Sequence, residues 1–200
     1  MPLSDKTELN TLLENAGIDA ATAQAVMDID GMLQQWRRRA MKRELGQRAL
    51  LDLRIGIDLA QFDVLVAIAG PVPEFGDVQG ETMVASVAER LNIDPSRASR
   101  LVSEMVEQGF ARRAVSQADA RRTIIELTDQ GRAVVEAVHA YKYLIMGDFL
   151  GTWPAEDVAA FVPLLKRFAR WSDDIDAAAA KYAAEIAALS PPAGKSGAAA

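Results

Sequence analysis

Residues 82–108 carry two apolar stripes of helical period with only a tight turn between them. Val84, Val87, Ala88 and Leu91 fall at i, i+3, i+4 and i+7, and so do Ala98, Leu101, Val102 and Met105. The turn is Asn92-Ile93-Asp94. Asp94 suits a helix N-cap and Pro95 a first helical residue. After Gln108, Gly109 supplies a left-handed stop. Two short helices that must bury their stripes in one core across three residues have few arrangements open to them. The spacing predicts a helix–turn–helix, with helices over 82–91 and 95–108.

The next twenty residues narrow the choice. Segments 111–115 and 123–127 read as extended, the second rich in β-branched residues. The polar stretch 116–122 joins them as the tip of a hairpin, and Thr128 caps a long helix over 129–150. Helix, turn, helix and hairpin in this order is a winged helix–turn–helix. The outer face of its second helix shows Ser96, Arg97, Ser99, Arg100 and Ser103. Small hydroxyls allow close approach to a DNA groove, and arginine can pair with guanine O6 and N7. Taken alone, the face could equally be an ordinary solvated one. The hairpin tip adds Arg121 and Arg122, with Asp119 two residues before Arg121. A carboxylate so placed can hold a guanidinium extended toward a minor groove.

The net charge of −6 points at first away from nucleic acid. The charge is unevenly spread, however. Over 97–122, six arginines stand against Glu104, Glu107 and Asp119; over 34–54, seven basic residues stand against Glu44 and Asp52. DNA responds to the field within a Debye length of about 8–10 Å, not to the total. The absence of cysteine removes disulfides and thiolate metal ligands. A single histidine, His139, and no His/Asp/Glu cluster at ligand spacing leave no expected metal or cofactor. No phosphate-binding loop, dinucleotide fingerprint or nucleophile with a base is visible, so no enzyme is expected. Residues 1–6 lack a basic start followed by an apolar run, which makes the cytoplasm the expected compartment.

The flanks read as helical. Val26, Ile29, Leu33, Trp36 and Ala40 keep a 3, 4, 3, 4 spacing, which predicts one helix over 20–45. A shorter helix is expected over 59–69, then a loop over 70–76. A break at Gly151-Thr152-Trp153-Pro154 starts one last long helix, kinked early by Pro163, with a small-residue tail over 190–200 expected to be disordered. A short helix before Ala20 is a further expectation. The cluster Arg37-Arg38-Arg39 reads either as a solvated helix end or as a contact for an anionic effector. Trp36, Phe62 and Trp153 read either as packing or as lining of an effector pocket.

The stretch 56–131 resembles the core of MarR-type transcriptional regulators. The resemblance rests on Ile57 through Leu65, Val87-Ala88-Glu89-Arg90-Leu91, Asp94-Pro95-Ser96, Ser99-Arg100-Leu101-Val102 and Gly109-Phe110-Ala111-Arg112-Arg113. It continues in Asp119-Ala120-Arg121-Arg122, Leu127-Thr128 and Gly131. It implies a mainly α fold with a small β-hairpin wing, in which a winged lobe over 56–128 joins a helical dimerisation lobe built from 1–55 and 129–189. It implies a homodimer on pseudopalindromic duplex DNA, recognition-helix residues on bases, and Arg121 in a minor groove. It also implies release by a small aromatic or acidic effector, for which Trp36, Arg37, Phe62 and Trp153 are the pocket candidates. A winged helix that docks protein instead of DNA is the competing reading.

Overall fold

The computed structural model describes residues 6–70 and 81–189. Most of the expected loop over 70–76, and the tail over 190–200, lie outside them. In chain order the elements are α1 (Lys6–Asn15), α2 (Ala20–Lys42), α3 (Glu44–Asp52), α4 (Leu59–Ala69), α5 (Val84–Leu91), α6 (Pro95–Glu107), β1 (Ala111–Val115), β2 (Thr123–Leu127), α7 (Asp129–Leu150), α8 (Ala155–Phe168), α9 (Ile175–Lys181) and α10 (Ala183–Ala188). They divide into two compact units. One is 43–152; the other combines 1–42 with 153–200.

The core of the 43–152 unit gathers around α4. Asp58 caps this helix by accepting from Gln61 N–H at 2.8 Å, while the Gln61 side chain accepts from Asp58 N–H at 3.1 Å. Phe62, Val64, Leu65, Ala67 and Ile68 are all buried, so α4 turns apolar side chains to several neighbours at once. It packs on α5, α6, α7 and β2. Helices α5 and α6 contribute Val87, Ala88, Ala98, Leu101, Val102 and Met105 to that core, the stripes read from the sequence. β1 and β2 form an antiparallel pair with Ala111 opposite Leu127 and Val115 opposite Thr123. One face of β2 supplies Ile125 and Leu127.

The hairpin is joined to α6 and α7 at one point. Thr128 Oγ1 donates to Gly109 O at 2.7 Å and accepts from Gly131 N–H at 3.2 Å, capping α7 and closing the end of α6 together. Gly131 is buried there. A Cβ on it would lie 2.0 Å from the Phe110 carbonyl oxygen, so only glycine allows α7 to start so close to the strand. Farther along, Tyr141 of α7 donates to Asp52 of α3 at 2.7 Å, and Arg48 pairs with the same carboxylate at 2.8 Å.

The expected single helix over 20–45 ends earlier. Arg43 adopts a left-handed backbone (φ 53°), which breaks α2 from α3. Its guanidinium makes two parallel bonds to Asp63 on α4, one of them 2.7 Å. A carboxylate twenty residues away thus holds the break in place, and no local pattern announced it.

In the second unit α1 lies on α2, as expected of a short helix before Ala20. Asp19 caps α2 by accepting from Ala21 and Thr22 N–H. The expected last long helix is instead three. Pro163 sits inside α8, and the chain leaves the helix over 169–174 through bonds three residues apart, such as Trp171 N–H to Phe168 O at 3.0 Å. Ser172, Asp173 and Asp174 there compete for the backbone and favour a turn, and Arg170 closes on Asp173 at 3.3 Å. Among the described residues of this unit Ala23 alone is buried, and Met32, Trp36, Leu164, Trp171 and Ile175 are at least half exposed.

Gly131→Ala should destabilise the fold at the upper end of the ~1–3 kcal/mol typical of overpacking, because the atom it meets is backbone. Gly147→Ala, on the same helix with nothing within 4 Å of its Cβ, should be neutral or stabilising by about 0.5–1 kcal/mol. Urea unfolding of the two variants beside the parent checks both.

Candidate nucleic-acid interface

Helix α6 is positioned by its own start. Asn92 is left-handed (φ 49°), which turns the chain between α5 and α6. The Asp94 carboxylate then accepts from Ser96 N–H at 2.8 Å, from Arg97 N–H at 3.3 Å and from the Ser96 hydroxyl. These bonds hold the Asp94 carboxyl below the usual aspartate range, the Ser96 hydroxyl contributing most. Ser96 therefore stabilises the helix start with its proton and keeps only acceptor lone pairs free for another partner.

Beyond this cap, Arg97, Ser99 and Arg100 are exposed, opposite the buried Ala98, Leu101, Val102 and Met105. Ser103 is half-buried and accepts from Arg113 of β1 at 3.1 Å. Glu104 lies 3.9 Å from Arg100 Nε.

The wing tip is an ordered turn. Ser116, 4% exposed, accepts from Ala118 and Asp119 N–H, and its own N–H donates to Arg122 O at 3.0 Å. Arg121 and Arg122 are both exposed. Asp119 accepts from the backbone N–H of Arg121 at 3.0 Å, and its other oxygen faces Arg122 Nε at 3.5 Å. The carboxylate thus shapes the backbone at Arg121 while its ion pair is with Arg122. Of the expected DNA-contacting residues, the structure gathers Arg97, Ser99, Arg100 and Ser103 on one helix face and Arg121 and Arg122 on the wing of the same unit.

The supports of the wing lie outside the expected set. Glu81 accepts from Gln117 N–H at 2.7 Å. The Ser116 hydroxyl, the Gln117 and Ala118 N–H groups and the charge of Arg122 together hold the Glu81 carboxyl below the usual glutamate range. Next to it, Thr82 O accepts from Ile125 N–H at 2.7 Å, extending the hydrogen bonding of β2. Arg90 of α5 donates to Ala67 O at the end of α4 and to Thr82 Oγ1 at 3.0 Å. Arg90 belongs to one of the segments that carry the family resemblance, but nothing local assigns it this task.

The pocket candidates belong to different units, Phe62 to one and Trp36, Arg37 and Trp153 to the other. Phe62 is 7% exposed in the core of the 43–152 unit. Trp36 lines a groove of about 450 Å³ between α2 and α8, with Ile29 and Leu33 on its own helix and Phe161, Arg167 and Phe168 from α8. Arg37, next along α2, is exposed. Trp153 packs edge-on against Phe161, ring centres 5.4 Å apart. Among the described residues no group of three or more histidines or carboxylates could hold a metal ion, and no helix is long and apolar enough to cross a membrane.

Two helices across a three-residue turn, closed by a hairpin whose arginines flank the second helix, make the 43–152 unit a winged helix–turn–helix. Residues 55–122, about a third of the chain, match the model of the MarR family. An uncharacterized HTH-type transcriptional regulator of Bacillus subtilis, YdgJ, is 27% identical over 97 residues, which are 48% of this chain and 59% of that protein. A MarR family protein from Bacillus stearothermophilus has the same fold, with a TM-score of 0.60 at 18% identity over 74% of this chain and 94% of that one. So does MepR of S. aureus, solved bound to ethidium bromide, with a TM-score of 0.51 at 20% identity over 67% of this chain and 92% of that one.

Because the Glu81 carboxyl titrates low in the fold, its hold on the wing is complete above the ordinary glutamate range and is lost as pH falls through the lowered value. The Gln117 amide resonance should therefore titrate with a midpoint below that of a free glutamate. In the Glu81→Ala chain that titration should vanish while the α4–α6 resonances stay in place, which an NMR pH series reads directly.

Proposed function

We propose that this chain is a sequence-specific regulator of transcription that binds duplex DNA as a homodimer. One observation carries the reading: the exposed Arg97, Ser99 and Arg100 face of α6 and the arginine-tipped wing belong to one compact unit. A helix with that face suits the major groove, and Arg121 on a pre-shaped turn suits the adjacent minor groove. Asp119, by fixing the backbone at Arg121 and partly offsetting Arg122, orients the wing. Phosphate contacts would supply most of the affinity and base contacts the choice of site.

The helical unit supports the dimer. With Ala23 its one buried residue among those described, its apolar side chains gain little from the fold of a single chain. Burying them against a second copy gives a two-fold assembly, and a two-fold assembly reads a pseudopalindrome with half-sites about one helical turn apart. We further propose repression relieved by a small aromatic or acidic effector. The apolar groove at Trp36, with Arg167 beside it, has the chemistry to take such a molecule. MepR, of the same fold, is known with ethidium bound. An effector acts only through its differential affinity for the DNA-competent and incompetent states. Its site of action would be the cytoplasm, where the DNA is.

Selection of duplexes from a random library at stated salt tests the core of this. A pseudopalindrome with one-turn spacing is the expected result. A folded dimer that enriches nothing, before and after refolding free of small molecules, would instead favour a winged helix that docks protein. On the selected operator, Arg121→Ala should weaken binding by about 1–3 kcal/mol without changing the dimer or its melting temperature. Unaltered affinity would remove the wing from the interface.

A further inference from the structure

The outer side of α6 carries two carboxylates, Glu104 and the exposed Glu107, and the place of Glu104 is at odds with phosphate binding. Glu104 lies one turn after Arg100, with Oε1 3.9 Å from Arg100 Nε. Its other oxygen, Oε2, accepts from Gln61 Nε2 of α4 at 3.2 Å. Gln61 is itself fixed, since its carbonyl oxygen and its backbone N–H are both engaged with Asp58 in the cap of α4. A rigid helix start thus holds Gln61, Gln61 holds Glu104, and the fixed Glu104 sets its charge 3.9 Å from Arg100 Nε, beyond hydrogen-bond reach but close enough to bias the guanidinium. An exposed ion pair four residues apart adds little to stability. A negative charge on this face weakens attraction to a phosphate backbone.

We propose that Glu104 is the positioning residue for Arg100, set in place by Gln61, and that it converts a phosphate-seeking arginine into a base-reading one. The geometry of guanidinium recognition supports this. An arginine can approach an acceptor pair through Nε and one terminal nitrogen, or through its two terminal nitrogens. With Nε the nitrogen drawn toward Glu104, the fork of Nη1 and Nη2 is the edge turned away from it. That fork matches the O6 and N7 atoms of a guanine in the major groove. Ser103, on the same face, is held separately by Arg113 and is not part of this chain of contacts. The inference rests on the DNA-binding reading above, and sequence discrimination is what it governs.

The test measures affinity for the selected operator, for each single-base-pair variant of it, and for unrelated duplex, across a range of salt. The chains are the parent, Glu104→Gln, Arg100→Ala and the double variant. Glu104→Gln should lower discrimination at one base pair about tenfold, the order expected for loss of one bidentate pairing. Affinity for unrelated duplex should hold or rise, and the melting temperature should stay put. In the Arg100→Ala background the same change should have no further effect on discrimination at that base pair. Gln61→Glu is the second probe. It keeps a side-chain acceptor for the α4 cap but sets a like charge beside Glu104, and it should blur the same base pair. Unchanged discrimination in Glu104→Gln, or equal losses with and without Arg100, would overturn the proposal. A parent chain that selects no DNA sequence would overturn the underlying reading and this proposal with it. Loss of affinity for all duplexes together with a lowered melting temperature would show Glu104 to be only structural.

Discussion

Helix α4 has almost no side that can face water. Its buried residues, Phe62, Val64, Leu65, Ala67 and Ile68, point in too many directions for one neighbour to cover. The chain satisfies them by wrapping α5, α6, α7 and β2 around the same eleven-residue helix. This demand sets the form of the whole winged unit. The two helices of the helix–turn–helix bury their stripes against α4, and the hairpin closes the remaining side. What cannot be buried on α5, α6 and the hairpin becomes, by elimination, the exposed face of the unit. The same helix supplies both of its ends to polar work. Gln61 at the start reaches Glu104, and the Ala67 carbonyl near the end receives Arg90.

Much of this architecture is legible in the sequence, for a physical reason. The apolar periods of α5 and α6, the Asp94-Pro95 start and the β-branched run of β2 are local signals, and tertiary packing agrees with each. The strand bounds 111–115 and 123–127 and the helix over 129–150 match the structure residue for residue. The failures fall where long-range contacts or backbone competition decide. The break at Arg43 depends on Asp63, and nothing within a turn of either residue reveals it. The region from Ser172 to Asp174 keeps a near-heptad apolar register around it, so periodicity alone runs the helix straight through.

The interface divides in the same way. Which side chains face outward can be counted from helical spacing, and Arg97, Ser99 and Arg100 are where that count puts them. What those side chains are bonded to cannot. Ser96 spends its proton on Asp94, Ser103 is taken by Arg113, and Asp119 pairs with Arg122 while shaping the backbone at Arg121. Glu81, which anchors the wing from beyond the hairpin, carries no local signature at all. A surface that reads in sequence as a row of independent donors contains several small, mutually constrained groups. Its order is set by residues that need not touch a partner.

The joint at Thr128 has a mechanical consequence. One hydroxyl links the end of α6 to the start of α7, and the missing side chain of Gly131 seats α7 directly on the Phe110 carbonyl. Helix α7 is 22 residues long, so at about 1.5 Å per residue it is a rod of roughly 33 Å, seated at its start and held again past its middle by Tyr141 on Asp52. A load on its far end, where Tyr143, Leu144 and Phe149 are exposed, meets the Tyr141 hold first and the joint behind it. A tilt of about 5° at the pivot sweeps the tip through roughly 3 Å on this geometry. Run in reverse, a displacement of about 1 Å at the tip that reached the joint would turn it by about 2°, passing to the end of α6 through the Thr128 hydroxyl and the close seat at Gly131.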